Sequence, residues 1–273
     1  MKFSVLMSVY KNDNADYLHQ ALKSIYDEQT KKPDEIVVVF DGPLTSELYK
    51  VLSDFKKGKE NIVFYFQLEN NMGLGEALRI GSEHCKGDYI FRMDSDDISH
   101  PERFEKQIAY IEANPDTDVV GTDIAEFYLN PNEQNLRVRA CPASHDNIVA
   151  MAKKRNPMNH VTVCIKKDSL LQCGGYEHLL LLEDYYLWLK MIVAGYVLKN
   201  INESLVYVRI GNGFHAKRGS KIRISGWKIL QKYMYEKGLI KKREAVMNML
   251  YIRIFTYCPP KIKKCIYDKL LRQ

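Results

Sequence analysis

Two hydrophobic rhythms alternate along the first hundred residues. Runs rich in Val, Ile and Phe at Phe3 to Val9, Glu35 to Phe40, Ile62 to Gln67 and Asp88 to Met93 predict strands. Between them, Tyr17 to Gln29, Leu44 to Lys56 and Leu74 to His84 carry helical periodicity. Four strands separated by three helices imply right-handed crossovers and a mostly parallel sheet. In such sheets ligands sit beyond the carboxyl ends of the strands, near a switch point in strand order. That rule lines up Ser8-Val9-Tyr10, Asp41-Gly42 and Asp94-Ser95-Asp96 along one crevice. Further on, Val161 to Ile165 reads as a strand, and an apolar helix begins at Glu183-Asp184.

Composition changes this picture little. With 273 residues, 46% hydrophobic and 27% charged, the chain suits one large α/β domain or two small ones. Six cysteines (85, 141, 164, 173, 258 and 265) form no Cys-x-x-Cys pair and read as thiols in a reducing cytoplasm. The Phe3 to Val9 run is too short for a signal-peptide core, and no stretch of eighteen apolar residues spans a membrane.

Charge patterning changes it more. From Lys217 to Gln273 there are 16 Lys/Arg against 3 Asp/Glu, a net +13, which leaves the first 216 residues at −7. The tail interleaves these cations with Ile, Leu, Met, Tyr, Trp227 and Phe255 in helical rhythm until Pro259-Pro260. Such a helix lies on an anionic membrane surface or packs its apolar face on the domain, with its lysines in water. Nucleic acid would be a third partner, resting on the basic tail alone; the expectation is that none is bound.

The densest candidate chemistry is Asp94-Ser-Asp96-Asp97, three carboxylates in four residues at the end of an apolar run. Carboxylates this close raise one another's pKa unless a cation sits between them. The alternative is a solvated acidic turn that caps the next helix. A calcium hand is excluded, because Ile98 and Ser99 occupy the places of an oxygen ligand and a glycine. The crevice suits a nucleotide: Asp41 can accept from a base N–H, and Gly73 opens a helix whose free N–H groups, with Arg79, can receive phosphate. Neither a dinucleotide fingerprint nor a phosphate loop of the Gly-x-x-x-x-Gly-Lys type is present.

The ordered set Ser4-Val-Leu-Met-Ser-Val-Tyr10, Val37-Val-Val-Phe-Asp41-Gly42, Asn71-x-Gly73-x-x-x-Ala77-x-Arg79, Gly87-Asp-Tyr-Ile90 and Asp94-Ser-Asp96-Asp97 resembles the nucleotide-sugar half of family 2 inverting glycosyltransferases of the GT-A fold. The likeness runs from about residue 2 to residue 220. It implies that Asp41 reads uracil, Arg79 lies near the base or phosphates, Asp94 meets ribose or metal, and Asp96 coordinates Mn²⁺ or Mg²⁺ on the diphosphate. Val9, Tyr10, Gly73 and Ser95 complete the implied donor site. One departure is Phe40-Asp41, where many members carry two acidic residues before the glycine.

The resemblance divides the chain into residues 1–216, a catalytic domain with a nucleotide-sugar half (1–100) and an acceptor half (101–216), and residues 217–273, a basic helical tail. Glu183-Asp184 begins an apolar helix, where anions are favoured; acids commonly start helices, but the family-like pair implies Asp184 as general base. Trp188 lies one turn beyond, where an indole either stacks on a sugar or packs in the core. Asn156-Pro-Met-Asn-His160, Gly174-Gly-Tyr176 and the segment Tyr207-x-Arg209-x-Gly-x-Gly213 with His215, Lys217 and Arg218 resemble a subgroup that builds bacterial O-antigen, capsule and exopolysaccharide. Acceptor or diphosphate contacts are thereby expected from His160, Glu183, Trp188, Arg209, His215, Lys217 and Arg218. The implied reaction moves a hexose, glucose or galactose, from a UDP-sugar to an N-acetylhexosamine or oligosaccharide on an undecaprenyl-diphosphate carrier, forming a β-linkage at the inner face of the bacterial inner membrane. A nucleotidyltransferase on a similar sheet and a non-catalytic binding protein of the same fold are the rivals. The first would place a glycine- and basic-rich loop where Tyr10-Lys-Asn-Asp-Asn stands; the second would be expected to lack Asp94, Asp96 or Asp184.

Overall fold

The computed structural model describes residues 1–128, 130–131, 136–179, 181–211 and 223–258. Its first half follows the hydrophobic rhythm closely. Strands β1 (Phe3–Val9), β2 (Glu35–Phe40), β3 (Val63–Gln67) and β4 (Tyr89–Met93) alternate with helices α1 (Ala15–Ile25), α2 (Ser46–Lys56) and α3 (Leu74–His84). Every pairing among these strands is parallel, in the order β3-β2-β1-β4. The chain therefore moves outward from β1 to β3 and returns across it to β4, which puts the switch point between the ends of β1 and β4.

The two faces of β1 feed two cores. Phe3, Val5, Met7 and Val9 pack with Leu18, Leu22, Leu52 and Phe104 on one side. On the other, Leu6 packs with Val37, Val39, Ala77 and Leu78. Gly81 lets α3 lie this close to the sheet, since a Cβ there would stand 2.4 Å from Leu6 Cδ1.

Both ends of α1 differ from the expectation. α1 starts at Ala15 because Asn14 caps it, accepting from the N–H groups of Asp16 and Tyr17 at 2.9 and 3.1 Å. It stops at Ile25, and Gln29 leaves the helix to donate to Ser24 O and His100 O at 2.7 and 2.8 Å. The second half is also less parallel than the sequence rhythm implies. It contributes β5 (Ile98–Ser99), β6 (Val119–Phe127), β7 (Arg137–Arg139), β8 (Cys164–Lys166) and β9 (Leu198–Arg209). β8 runs antiparallel between β4 and β6, so the whole sheet is mixed. Only the end of the expected Val161 to Ile165 strand is extended; His160–Thr162 form a 3-10 turn, fixed by Thr162 Oγ1 donating to Asn159 O at 2.8 Å.

Helices α4 (Arg103–Ala113), α5 (His145–Ala152), α6 (Lys167–Gln172) and α7 (Glu183–Val193) cover the added strands. Two tail helices follow, Arg223–Glu236 and Lys242–Tyr257. The first packs into the same core as α7 through Leu230 and Met234, both fully buried. The basic tail therefore shares a core with the residues of α7.

Candidate active site

The rim above the switch point is knit by side chain to main chain bonds. Asp13 Oδ2 accepts from Tyr10 N–H at 3.0 Å and from Ser95 Oγ at 2.8 Å, tying the loop after β1 to the loop after β4. Asp41 follows β2 directly, with its N–H donating to Val9 O at 2.8 Å. Its carboxylate accepts from Met72 N–H at 2.6 Å and Gly73 N–H at 3.0 Å, so it holds the turn that opens α3. One lone pair on each oxygen is left over. Gly42 makes the turn possible: its φ is +87°, and a Cβ would stand 2.9 Å from Asn71 N.

Asp94, Asp96 and Asp97 place carboxylate oxygens within 4.8 Å of one another. They sit differently. Asp94 is ion-paired with Arg92, a buried arginine within β4. Asp96 is exposed at the crevice, and desolvation together with the charges of Asp94 and Asp13 pushes it up to about 6. Asp97 is buried and accepts from Arg209 N–H at 2.9 Å. An all-oxygen anionic donor set of this kind fits a hard divalent cation such as Mg²⁺ or Mn²⁺.

A cavity of about 540 Å³ connects this cluster to the second half of the chain. Asp94, Asp97, His160, Glu183 and Asp184 all line it. Asp184 opens α7 with Glu183; it accepts from Asn156 Nδ2 at 2.5 Å and from Tyr185 N–H at 2.7 Å. Burial and the neighbouring Asp184 charge push Glu183 up to about 7. Gly75 of α3 abuts the pair, since a Cβ on it would stand 3.2 Å from Glu183 Cβ. Immediately before the pair, Leu181 holds a φ of +64°, a conformation that costs a non-glycine residue roughly 1–2 kcal/mol.

His160 Nε2 lies 2.9 Å from Tyr176 Oη, and burial followed by the Arg92 charge lowers its pKa well below the usual histidine range. It is thus a neutral hydrogen-bonding group rather than a cation. One expected contact, Trp188, is corrected, and Arg79 and Arg209 have partners within the fold. Trp188 is fully buried beneath His160, their rings edge to face at 6.1 Å, so its indole cannot stack on a sugar. The face it shares with Asp184 turns inward because α7 is walled by the sheet and the tail. Arg79 is paired with Glu76 and Glu83 of its own helix at 2.7 Å each and remains partly exposed. Arg209 donates to Asp96 O at 3.1 Å and Gln20 Oε1 at 2.9 Å and stacks 3.8 Å from the Tyr17 ring, which makes it a support for the Asp94 to Asp97 loop. His215, Lys217 and Arg218 lie outside the described residues.

Sequence reading missed Arg92, although a charged residue inside the apolar run Tyr89-Ile-Phe-Arg-Met93 was a signal for it. It also missed Arg139, Arg155, Trp227 and Phe255, which line the same cavity. No periodic signal joins those four.

Residues 4–177 match the model of glycosyl transferase family 2. The chain belongs to that family. It is 39% identical to an uncharacterized glycosyltransferase of Haemophilus influenzae over the full length of both chains. It is 36% identical to the amylovoran biosynthesis glycosyltransferase AmsE of Erwinia amylovora, covering 98% of each. Identity is also 36% to the UDP-Gal:alpha-D-GlcNAc-diphosphoundecaprenol beta-1,3-galactosyltransferase of Escherichia coli, over 100% of this chain and 97% of that one. Among solved structures, Staphylococcus aureus TarS 1-349 in complex with UDP-GlcNAc superposes with a TM-score of 0.70 at 18% identity, over 99% of this chain and 76% of that one. The family 2 chain thus has the GT-A fold, a glycosyltransferase activity and relatives in bacterial surface-polysaccharide synthesis. The sheet is mixed, and a helical region closes the C-terminal side.

Proposed function

We propose that this family 2 glycosyltransferase moves a hexose from a UDP-sugar to a saccharide carried on undecaprenyl diphosphate. The observation that carries this reading is the single cavity joining Asp94 and Asp97 to Glu183 and Asp184. The E. coli relative, named for UDP-Gal and a GlcNAc-diphosphoundecaprenol, supports galactose over glucose as the sugar.

The rim of Val9, Tyr10, Asp41, Gly73 and Ser95 receives the nucleotide, and Asp94 with Asp96 would hold Mg²⁺ or Mn²⁺. A cation there would neutralise charge on the departing diphosphate. Asp184 takes the proton from the acceptor hydroxyl while that oxygen bonds to the anomeric carbon. The carbon–oxygen bond to UDP breaks on the opposite face, so an α-linked donor gives a β-glycoside. Glu183 and neutral His160 flank the acceptor, and Asn156 holds Asp184 in place.

The second tail helix meets the anionic face of the membrane. It carries Lys242, Arg243 and Arg253, while Val246, Leu250, Tyr251 and Ile254 are each about half exposed or more. No helix among the described residues is long and apolar enough to cross a membrane. The reading is a peripheral enzyme at the cytoplasmic surface.

The deciding experiment offers a panel of UDP-sugars to the protein with a synthetic GlcNAc-diphosphate lipid and compares Asp184→Asn. Turnover by the variant should fall by roughly 10²–10⁴, the range for loss of a general base, with UDP binding intact. Near-normal turnover would remove Asp184 from the role.

A further inference from the structure

We infer that Arg139, Arg155, Trp227 and Phe255 form a subsite for the diphosphate and the lipid chain of the acceptor. This rests on the transferase reading of the same cavity and names how it recognises the non-sugar part of its substrate. Arg139 ends β7 and Arg155 follows α5, yet both line one cavity with Cys141. Burial lifts the Cys141 thiol to about 11 and both guanidinium charges oppose that lift, so the two cations converge on one wall.

Among the arginines that line the cavity, this pair differs from Arg92 in that its charge is uncommitted. Arg92 is paired with Asp94, Arg79 with Glu76 and Glu83, and Arg209 with Asp96 O and Gln20. Arg103, fully buried, donates to Gln107, Arg92 O and Val161 O. Arg139 and Arg155 are half-buried, and among the described residues neither guanidinium makes an ion pair or a hydrogen bond. Half-buried cations facing a cavity without an acceptor fit an anionic ligand, and a guanidinium fork fits phosphate oxygens best.

Position selects which anion. Arg155 directly precedes Asn156, whose amide touches Asp184 at 2.5 Å. A sugar whose hydroxyl lies on Asp184 therefore carries its reducing-end phosphates toward these arginines. The donor diphosphate belongs with the cation at Asp94 and Asp96, of which only Asp94 lines this cavity and is already paired with Arg92. The same lining holds apolar side chains, among them Trp227 and Phe255 from the two tail helices and Met151 from α5. Trp227 is fixed there by Tyr185, ring to ring at 5.5 Å, and the second tail helix is anchored by Asn248 donating to Lys153 O at 2.8 Å. Carboxylate, guanidinium and aromatic in one lining match sugar, diphosphate and hydrocarbon in one molecule.

The test measures steady-state kinetics with whichever UDP-hexose the wild type uses and three GlcNAc acceptors: a long-chain alkyl diphosphate, a methyl diphosphate and a phosphate-free alkyl glycoside. Arg139→Gln and Arg155→Gln should each raise KM for the diphosphate acceptors about tenfold, the effect of losing a hydrogen bond to a charged group, while KM for the UDP-hexose stays put. Arg139→Lys should recover part of the loss, which separates lost charge from misfolding. Phe255→Ala should raise KM for the long-chain acceptor and leave the methyl diphosphate unaffected. Unchanged acceptor KM in both glutamine variants would overturn the subsite, as would a matching rise in KM for the UDP-hexose. Wild-type transfer to the phosphate-free glycoside alone would overturn the lipid-diphosphate reading itself, and the subsite with it.

Discussion

Two adjacent carboxylates in a half-buried cavity cannot both carry charge cheaply, and Glu183 bears the consequence. Its pKa of about 7, against an ordinary 4.5, is set first by burial and then by Asp184. The folded state therefore binds more protons than the unfolded one between these values, and stability falls as pH rises from about 4.5 through 7. Glu183→Gln should flatten that dependence; urea unfolding at pH 5 and pH 8 would reveal it, and an unchanged slope would clear Glu183. A second residue-scale prediction concerns Asp94 and Asp96. Chelation with EDTA should abolish transfer and Mn²⁺ should restore it, whereas full activity in excess EDTA removes the cation from the site. At this scale the crowding of carboxylates marked Asp94 and Asp96 in the sequence, and the family resemblance marked Asp184. The sequence left Trp188 open between a sugar and the core, because helical spacing gives a residue's face without saying what covers that face.

At the scale of elements, the turns between strand and helix hold the rim in shape. Gly42 combines a positive φ with a backbone neighbour at 2.9 Å, so Gly42→Ala meets strain and a clash that no side-chain motion relieves. A loss of roughly 1–3 kcal/mol is expected, with a rise in KM for the UDP-sugar, because the displaced turn carries Met72 and Gly73 away from Asp41. Thermal unfolding and donor kinetics would check it; wild-type donor affinity in a folded variant would refute the role of the turn. β1 to β4 were legible because each is short, apolar and bounded by a helix of the right length. The 160–166 segment was not, because Thr162 bonds back to its own chain and draws the first two residues of an apolar run, with His160, into a tight turn.

Over the whole molecule, the tail has one job in the fold and a second that we propose at the membrane. Its first helix completes the core with Leu230 and Met234, and Ile240 follows it there. Removing residues 223–273 should cost roughly 5 kcal/mol from those three side chains and leave α7 uncovered. Removing only residues 242–273 should spare that core while abolishing flotation with anionic vesicles; retained flotation would show that the second helix is not the membrane contact. The amino-acid sequence by itself determined the alternation of strands and helices, the acidic loop after β4, the carboxylate pair at the start of α7 and the basic character of the tail. These are local, since periodicity and charge are written in consecutive residues. Only the tertiary structure decided which of those groups share a cavity and that two distant arginines converge with an aromatic from each tail helix. It also decided that Arg92 underlies Asp94. Such neighbours are set by crossing strands and packed faces, which leave no spacing in the chain.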